Sequence, residues 1–306
     1  MRVPIVYHPA YVAPMPEGHR FPMGKFGALK RYLENQDLLR PANLFEPQPA
    51  SPDYLVGAHD PAYVAAVLSG QLPPEQVRRL GLPVTPEVAR RSLAANGGTL
   101  MAAKLALEHG LACNLAGGSH HAFRAFGSGF CVFNDVAAAA SHLLAKQRIN
   151  QALVLDLDVH QGDGTASILA DQPRVTTVSL HCRTNFPARK QTSDLDVPLE
   201  PDLADGDYLE TLERTLDELL ASADHPPPDL VFYNAGVDPH RDDRLGRLAL
   251  SDAGLMARER LVLQRVTARG IPLVCVVGGG YDHDIDRLAA RHAFLHHAIA
   301  ELPGSP

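Results

Sequence analysis

In the stretch "ALVLDLDVHQGDG", Ala152 to Gly164, an apolar run ends in Asp156, Asp158 and His160. Residues two apart share a face of a strand, so these three side chains line up, with Leu157 and Val159 behind them. Carboxylates at the end of a core strand need compensation, because buried charges are paired or coordinate a metal. Asp158 and His160 alone fit either a hydrogen-bonded pair or two ligands. Asp238, at the end of "LVFYNAGVD", adds a third donor and favours the metal. Two carboxylates and one neutral imidazole around a divalent ion leave a coordination position open, as in catalytic rather than structural zinc sites.

Four further motifs bring acid-base and pocket chemistry. In "GGSHHA" the adjacent His120 and His121 follow two glycines that let the backbone bend, and imidazole suits proton transfer near neutral pH. Each ring needs an acceptor to orient it, and Asp156 and Asp163 are candidates. A second pair, His296 and His297, lacks the glycines and reads as a helix surface. In "GGGYD" three glycines allow close backbone approach to a ligand, and Tyr281 offers a hydroxyl for a developing oxyanion. No Lys-Ser/Thr follows, which argues against a phosphate loop. Phe130 in "GSGFCVFND" and Phe186 in "HCRTNFP" are candidate pocket walls, with core packing as the competing reading.

The elements that must position these residues follow from apolar periodicity. Strands are expected over 5–7, 112–115, 152–157, 175–180, 230–233 and 273–277. Amphipathic helical segments lie between them: Leu209, Leu212, Leu216 and Leu219 recur at helical spacing, and Ser251 caps a helix that stops near Gly270 and Pro272. Alternating strands and helices imply a mostly parallel sheet in a three-layer α/β/α architecture. The Pro-rich stretches "RPANLFEPQPASPD" and "SGQLPPEQVRRLGLPVTPE" read as surface loops around a helical turn near Ala62 to Leu68. The polar segments "NLAGGSHHA", "DVHQGDG", "NAGVDPH" and "VVGGGYDHD" each follow a strand, and in open α/β sheets the ligand crevice lies at the strands' carboxyl ends.

Across 306 residues no linker or composition shift divides the chain, so one domain, 1–306, is expected. The net charge of -7 argues against a nucleic-acid surface and is compatible with a cationic substrate. Cys113, Cys131, Cys182 and Cys275 form no CxxC and read as free thiols of a reducing compartment, Cys131 and Cys182 as buried rather than nucleophilic. The N-terminus has no signal-peptide core and no apolar run is long enough for a bilayer. A cytoplasmic enzyme without a membrane partner is the expectation.

Taken in order, "GGSHHA", "GFCVFND", "DLDVHQGDG", "TVSLH", "NAGVDPHRDDRLG" and "GGGYD" resemble the histone deacetylase superfamily of the arginase/deacetylase fold. "PIVYHPAY", "HDPAYV" and "ANGGTLMAAKLALEHG" extend the likeness over nearly the whole chain, and Gln161 together with "ANGGTLMAAKLA" and "YNAGVDPHRDDRLG" makes it most similar to the class IV and related bacterial branch. The resemblance implies a catalytic Zn2+, with Fe2+ as the alternative, on Asp158, His160 and Asp238. It implies a His120–His121 dyad backed by Asp156 and Asp163 respectively, and a carbonyl donor in Tyr281. Gly129, Phe130 and Phe186 would border an acyl-lysine tunnel. A structural K+ or Na+ would lie by Asp156, Ser179 and Leu180. Lys25 would take the place of an inner-channel basic residue. The implied activity is removal of acetyl or longer acyl groups from lysine side chains of a protein or peptide. An acetylpolyamine amidohydrolase, with Glu17 as a candidate rim residue, is the alternative enzyme, and a non-catalytic acyl-lysine-binding module is the alternative of another class.

Overall fold

The computed structural model describes residues 2–221 and 227–302. Its strands are β1 (Ile5–Val6), β2 (Leu44–Phe45), β3 (Leu111–Asn114), β4 (Ala152–Asp156), β5 (Val175–Cys182), β6 (Leu195–Leu199), β7 (Leu230–Asn234) and β8 (Leu273–Val276). They form one sheet in the order β2-β1-β3-β8-β7-β4-β5-β6, and every neighbouring pair is parallel. Flanking helices complete the α/β/α arrangement expected from the alternation. Strands β3, β4, β7 and β8 are buried along their whole length, which is why they read as continuous apolar runs rather than alternating ones.

The expected strands are all present, and two more occur at the sheet edges. The first Pro-rich stretch contains β2, only two residues long and half-buried, which is too little sequence for periodicity to register. Strand β6 carries Pro198 and is half exposed, as an edge strand tolerates. The second Pro-rich stretch is a helix over Pro74–Leu80, because proline is well placed in a first helical turn. The turn near Ala62 is a helix, Pro61–Leu68, capped by Asp60. The pair His296 and His297 also departs from expectation: His296 is buried, and only its neighbour is partly exposed.

Topology decides where the chemistry gathers. Strands β3, β8, β7 and β4 are consecutive in the sheet, so the four polar segments that follow them emerge side by side at its carboxyl edge. The long helix Pro86–His109 packs against β3 and β8, with a hydrogen bond from the Asn114 amide to Thr99 Oγ1 at 3.0 Å. Among the described residues no helix is long and apolar enough to cross a membrane.

Candidate active site

The β4 strand stops at Asp156, so Asp158 and His160 do not share a strand face as simple alternation requires. They lie in a turn held by carboxylates accepting from backbone N–H groups two residues on: Asp158 N–H donates to Asp156 Oδ1 at 3.2 Å and His160 N–H to Asp158 Oδ1 at 3.0 Å. Such side-chain turns are what Asp provides at a strand end. Asp238 enters from the segment after β7 and accepts the Val159 N–H at 2.9 Å.

The result is a cluster of Asp158, His160 and Asp238 whose ligand atoms all lie within 4.8 Å of one another. His160 Nδ1 is 3.0 Å from Asp158 Oδ1 and 3.1 Å from Asp238 Oδ2. Both carboxylates are buried. Burial, and next the charge of Asp158, raises the Asp238 carboxyl to about 7. Burial opposes charge on His160, but hydrogen bonds to the two carboxylates outweigh it and lift the ring to about 10. Two desolvated carboxylates competing for one imidazole are short of positive charge, and their O,N,O donor set fits a divalent ion. The backbone leaves room beside them: a Cβ on Gly279 would meet Asp238 Oδ2 at 2.1 Å and Asp158 Oδ2 at 2.5 Å. Without that Cβ the Gly279 N–H reaches Asp158 Oδ2 at 2.7 Å.

The two histidines of "GGSHHA" sit beside this cluster, rings 4.0 Å apart. His120 Nδ1 lies 2.7 Å from Asp156 Oδ2, and His121 Nδ1 2.6 Å from Asp163 Oδ1. Their surroundings push them apart. On His120 the desolvation penalty is outweighed by Asp156 and Asp158, which lift it to about 9. On His121 burial, and next the charge of His120, lowers the ring to about 4 despite Asp163. The loop depends on left-handed backbone at Gly117 and Gly118, φ +88° and +72°.

Asp135 fixes the same loop. It accepts from Gly118 N–H, Ser119 N–H and the Thr99 hydroxyl, at 3.2, 2.8 and 2.6 Å. Its role was hidden because a buried Asp inside "GFCVFND" carries no local sign of which loop it serves.

Tyr281 closes the opposite side, its ring perpendicular to that of His160 at 6.3 Å, with its hydroxyl raised well above the usual tyrosine value by burial. Its backbone N–H donates to Asp243 Oδ2 at 2.7 Å, while Asp243 Oδ1 accepts from Leu245 and Gly246. Asp243 thus ties the segment after β7 to the glycine loop after β8, a link sequence could not show. Lys25 lies beside the Phe21, Phe26 and Tyr281 rings. It is buried, and its Nζ donates to Gly278 O at 2.8 Å, holding that loop from behind. Burial lowers its ammonium to about 8. Arg91, from the helix Pro86–His109, borders the small cavity that Asp158, His120, His121 and Tyr281 line, with its buried Nε unpartnered among the described residues.

These groups share an open cleft of about 530 Å³ lined by His121, His160 and Tyr281 at its floor and by Gly129, Phe130 and Phe186 on its walls. His121 and Phe186 meet edge to face at 4.8 Å. Phe186 is 46% exposed and so is wall rather than core; Phe130 adopts left-handed backbone, φ 67°. Glu17 does not line this cleft, whereas Arg20 does. Asn185, which sequence reading passed over, lines it too and donates to Leu245 O at 2.6 Å. Away from the cleft, Asp156 and Ser179 are register partners on β4 and β5, with Leu180 next along the strand. Asp156 Oδ1 also accepts from the Asn234 amide at 2.8 Å.

Comparison with known proteins places this geometry. The histone deacetylase domain model matches residues 19–296. A 302-residue alignment with an uncharacterised protein of Picosynechococcus is 50% identical and covers 99% of this chain and all of that protein. Histone deacetylase 2 of Arabidopsis thaliana is 31% identical, covering 89% of this chain and 72% of the relative; acetoin utilization protein AcuC of Bacillus subtilis is 33% identical, covering 83% and 72%. The solved structure of an HDAC homologue complexed with SAHA superposes with a TM-score of 0.83 at 24% identity, over 99% of this chain and 86% of that one, and so supports the fold. With its domain match spanning most of its length, this chain belongs to the histone deacetylase family of amide hydrolases.

Proposed function

We propose that the chain is a metal-dependent lysine deacylase, with Asp158, His160 and Asp238 as ligands. The observation that carries the reading is His121: its Nδ1 is clamped to Asp163, its other nitrogen has no partner among the described residues, and it borders the same cleft as His160 and Tyr281. A divalent ion, Zn2+ or Fe2+, would supply Lewis acidity toward the scissile carbonyl and toward water.

The chain's own groups do the rest. His121 Nε2 takes the proton from the attacking water and later returns it to the leaving lysine amine. Asp163 holds the ring in the tautomer this requires, as the third member of a triad does. His120, kept charged by Asp156, discourages a second positive charge beside it and so keeps His121 ready as a base. Tyr281 donates to the oxygen on which negative charge develops. Gly129, Phe130 and Phe186 flank the aliphatic lysine stem. Beside Asp158, His120, His121 and Tyr281 lies a cavity of only about 30 Å³, bordered also by Phe21, Phe26 and Arg91. That is room for little more than a water-sized group, which favours acetyl over long acyl chains. A K+ or Na+ by Asp156, Ser179 and Leu180 belongs to the same proposal, as a support for the dyad's acceptor.

The test is turnover of an acyl-lysine peptide panel, acetyl through long-chain, beside acetylated polyamines, with Asp158→Ala as control. Acetyl-peptide hydrolysis that vanishes in the variant is the expected result. Hydrolysis confined to polyamines would move the assignment to an acetylpolyamine amidohydrolase. Acyl-peptide binding without turnover on any substrate would leave a binding module.

A further inference from the structure

The cleft that ends at His160 and Tyr281 carries, besides these floor groups, Arg20, Arg78, Arg79 and Arg247 in its lining, and among the described residues no Asp or Glu shares that lining. The four are exposed and come from separate parts of the chain: Arg20 just before the helix Lys25–Asn35, Arg78 and Arg79 in the last turn of Pro74–Leu80, and Arg247 in the segment after β7. None is held by a carboxylate among the described residues. Arg79 instead lies over the Phe126 ring, 4.4 Å from its centroid. Elsewhere exposed Arg260 is neutralised by Glu301 and half-buried Arg265 by Asp217. The mouth therefore has a sign opposite to the net charge of -7.

We propose that these four arginines make the site selective for acyl-lysine peptides with acidic residues flanking the acylated lysine. The inference rests on the deacylase reading and extends it to substrate class. The amide reacts at the floor, so the residues before and after the lysine, each advancing the chain by about 3.3–3.6 Å, pass the mouth rather than enter the cleft. Carboxylates there meet guanidinium groups that no protein carboxylate already satisfies, and guanidinium matches carboxylate in a bidentate fork. Peptides with lysine- and arginine-rich flanks meet like charge, and so does a polyamine, whose free ammonium groups would trail through the same mouth. Such local fields act mainly on encounter and orientation, so the preference is expected in kcat/KM through KM.

The experiment compares three acetyl-lysine peptides of equal length, with Asp/Glu, Ala/Ser or Lys/Arg flanks, together with N-acetylputrescine, on the wild-type protein and on Arg78→Glu/Arg247→Glu. The expected result is a preference for the acidic over the basic peptide of about tenfold or more at low ionic strength, within the usual range for electrostatic steering. The double variant should reverse that order. Direct binding of the same fluorescent peptides to Tyr281→Phe reads the rim without turnover, and circular dichroism checks that each variant is folded. Equal or basic-favouring kcat/KM in an active wild type overturns the rim proposal and leaves deacylation standing. An order unchanged by charge reversal in a folded variant overturns it too. Acidic-peptide binding with no hydrolysis of any substrate upholds the rim and overturns the deacylase reading.

Discussion

Beneath the floor of the cleft, Asp158 Oδ2 takes the Gly279 N–H at 2.7 Å, Asp156 Oδ2 lies 2.7 Å from His120 Nδ1, and Asp163 Oδ1 lies 2.6 Å from His121 Nδ1. At its mouth Arg20, Arg78 and Arg247 are exposed and carry no such partners among the described residues. The floor rests on buried carboxylates held by hydrogen bonds, whereas the mouth is basic and exposed, and its arginines have no carboxylate partner among the described residues. Catalysis needs the first, because reacting groups must be oriented and desolvated before substrate arrives. Recognition of variable sequence is served by the second, since long side chains in water adapt at little cost. Perturbing each region should therefore give different kinds of loss.

The largest effect is expected at the centre of the floor. Asp158→Ala removes one of the three proposed ligands together with the acceptor of the Gly279 N–H, so on the metal-dependent reading metal content should fall and kcat/KM should drop on the order of a thousandfold or more, several kcal/mol of Lewis-acid stabilisation. Elemental analysis beside turnover measures both. Next comes Tyr281→Phe, for which turnover should fall about 100-fold with metal content retained, in the range found for deleted oxyanion donors. A near-normal rate would remove Tyr281 from the chemistry.

Gly279→Ala probes the floor without replacing a functional side chain. Its Cβ would press on Asp238 Oδ2 at 2.1 Å, and the carboxylate cannot retreat far while it accepts the Val159 N–H. Metal affinity should weaken by roughly 10–100-fold, the loss typical when groups supporting the ligands are disturbed. Metal competition with a chromogenic chelator reads it directly. Unaltered affinity would mean that the glycine loop serves another purpose.

The sequence shows the floor far better than the mouth, and the physics of each explains why. Asp158, His160, His120, His121 and Tyr281 stand in short stretches whose residue types are improbable in a core unless they do something, so strand ends alone expose them. Supporting groups were less legible. Asp135, Asn234 and Asp243 act through contacts with residues distant in sequence, as Asp135 does on Ser119 at 2.8 Å, and a lone buried polar residue advertises no partner. At the mouth the walls Gly129, Phe130 and Phe186 are legible, and the charge is not. The net charge is compatible with a cationic substrate and Glu17 is the rim candidate the sequence offers, yet Arg20, Arg78 and Arg247 meet only after folding. The edge strands β2 and β6 were missed for a related reason, since their short or half-exposed segments carry little apolar pattern.

Acid should distinguish the floor's supports from the mouth, whose arginines keep their charge throughout. His59 is buried beneath the dyad loop, with Nδ1 3.0 Å from Phe123 O and Nε2 accepting the Asn134 N–H at 2.9 Å. Both nitrogens are thus satisfied only in the neutral ring, and Asn134 in turn caps the helix Asp135–Ala145. Burial lowers the ring to about 4, so between its ordinary value near 6.5 and about 4 the unfolded chain binds the extra proton. Stability from this group is complete above about pH 6.5 and is lost progressively as pH falls toward 4, on the order of 2 kcal/mol by pH 5. His296, lowered to about 3 by burial, adds a loss of the same sign. Denaturant midpoints from pH 7 to 5 should fall, and His59→Gln should flatten part of that slope. A slope unchanged in the variant would show that the ring under the loop is not what acid attacks.

The smallest effect expected is that of salt, and it should appear only at the mouth. The Debye length shortens from about 10 Å at 0.1 M to about 3 Å at 1 M, enough to screen exposed guanidinium groups from an approaching peptide but not a buried pair such as His121 and Asp163. KM for an acidic-flanked acetyl peptide should therefore rise several-fold over that range, while kcat, set by the dry floor, changes little. An equal loss in kcat would place salt-sensitive charge at the floor and erase the contrast. An unmoved KM would take the arginines out of recognition, because charge that works through water must weaken when water carries ions.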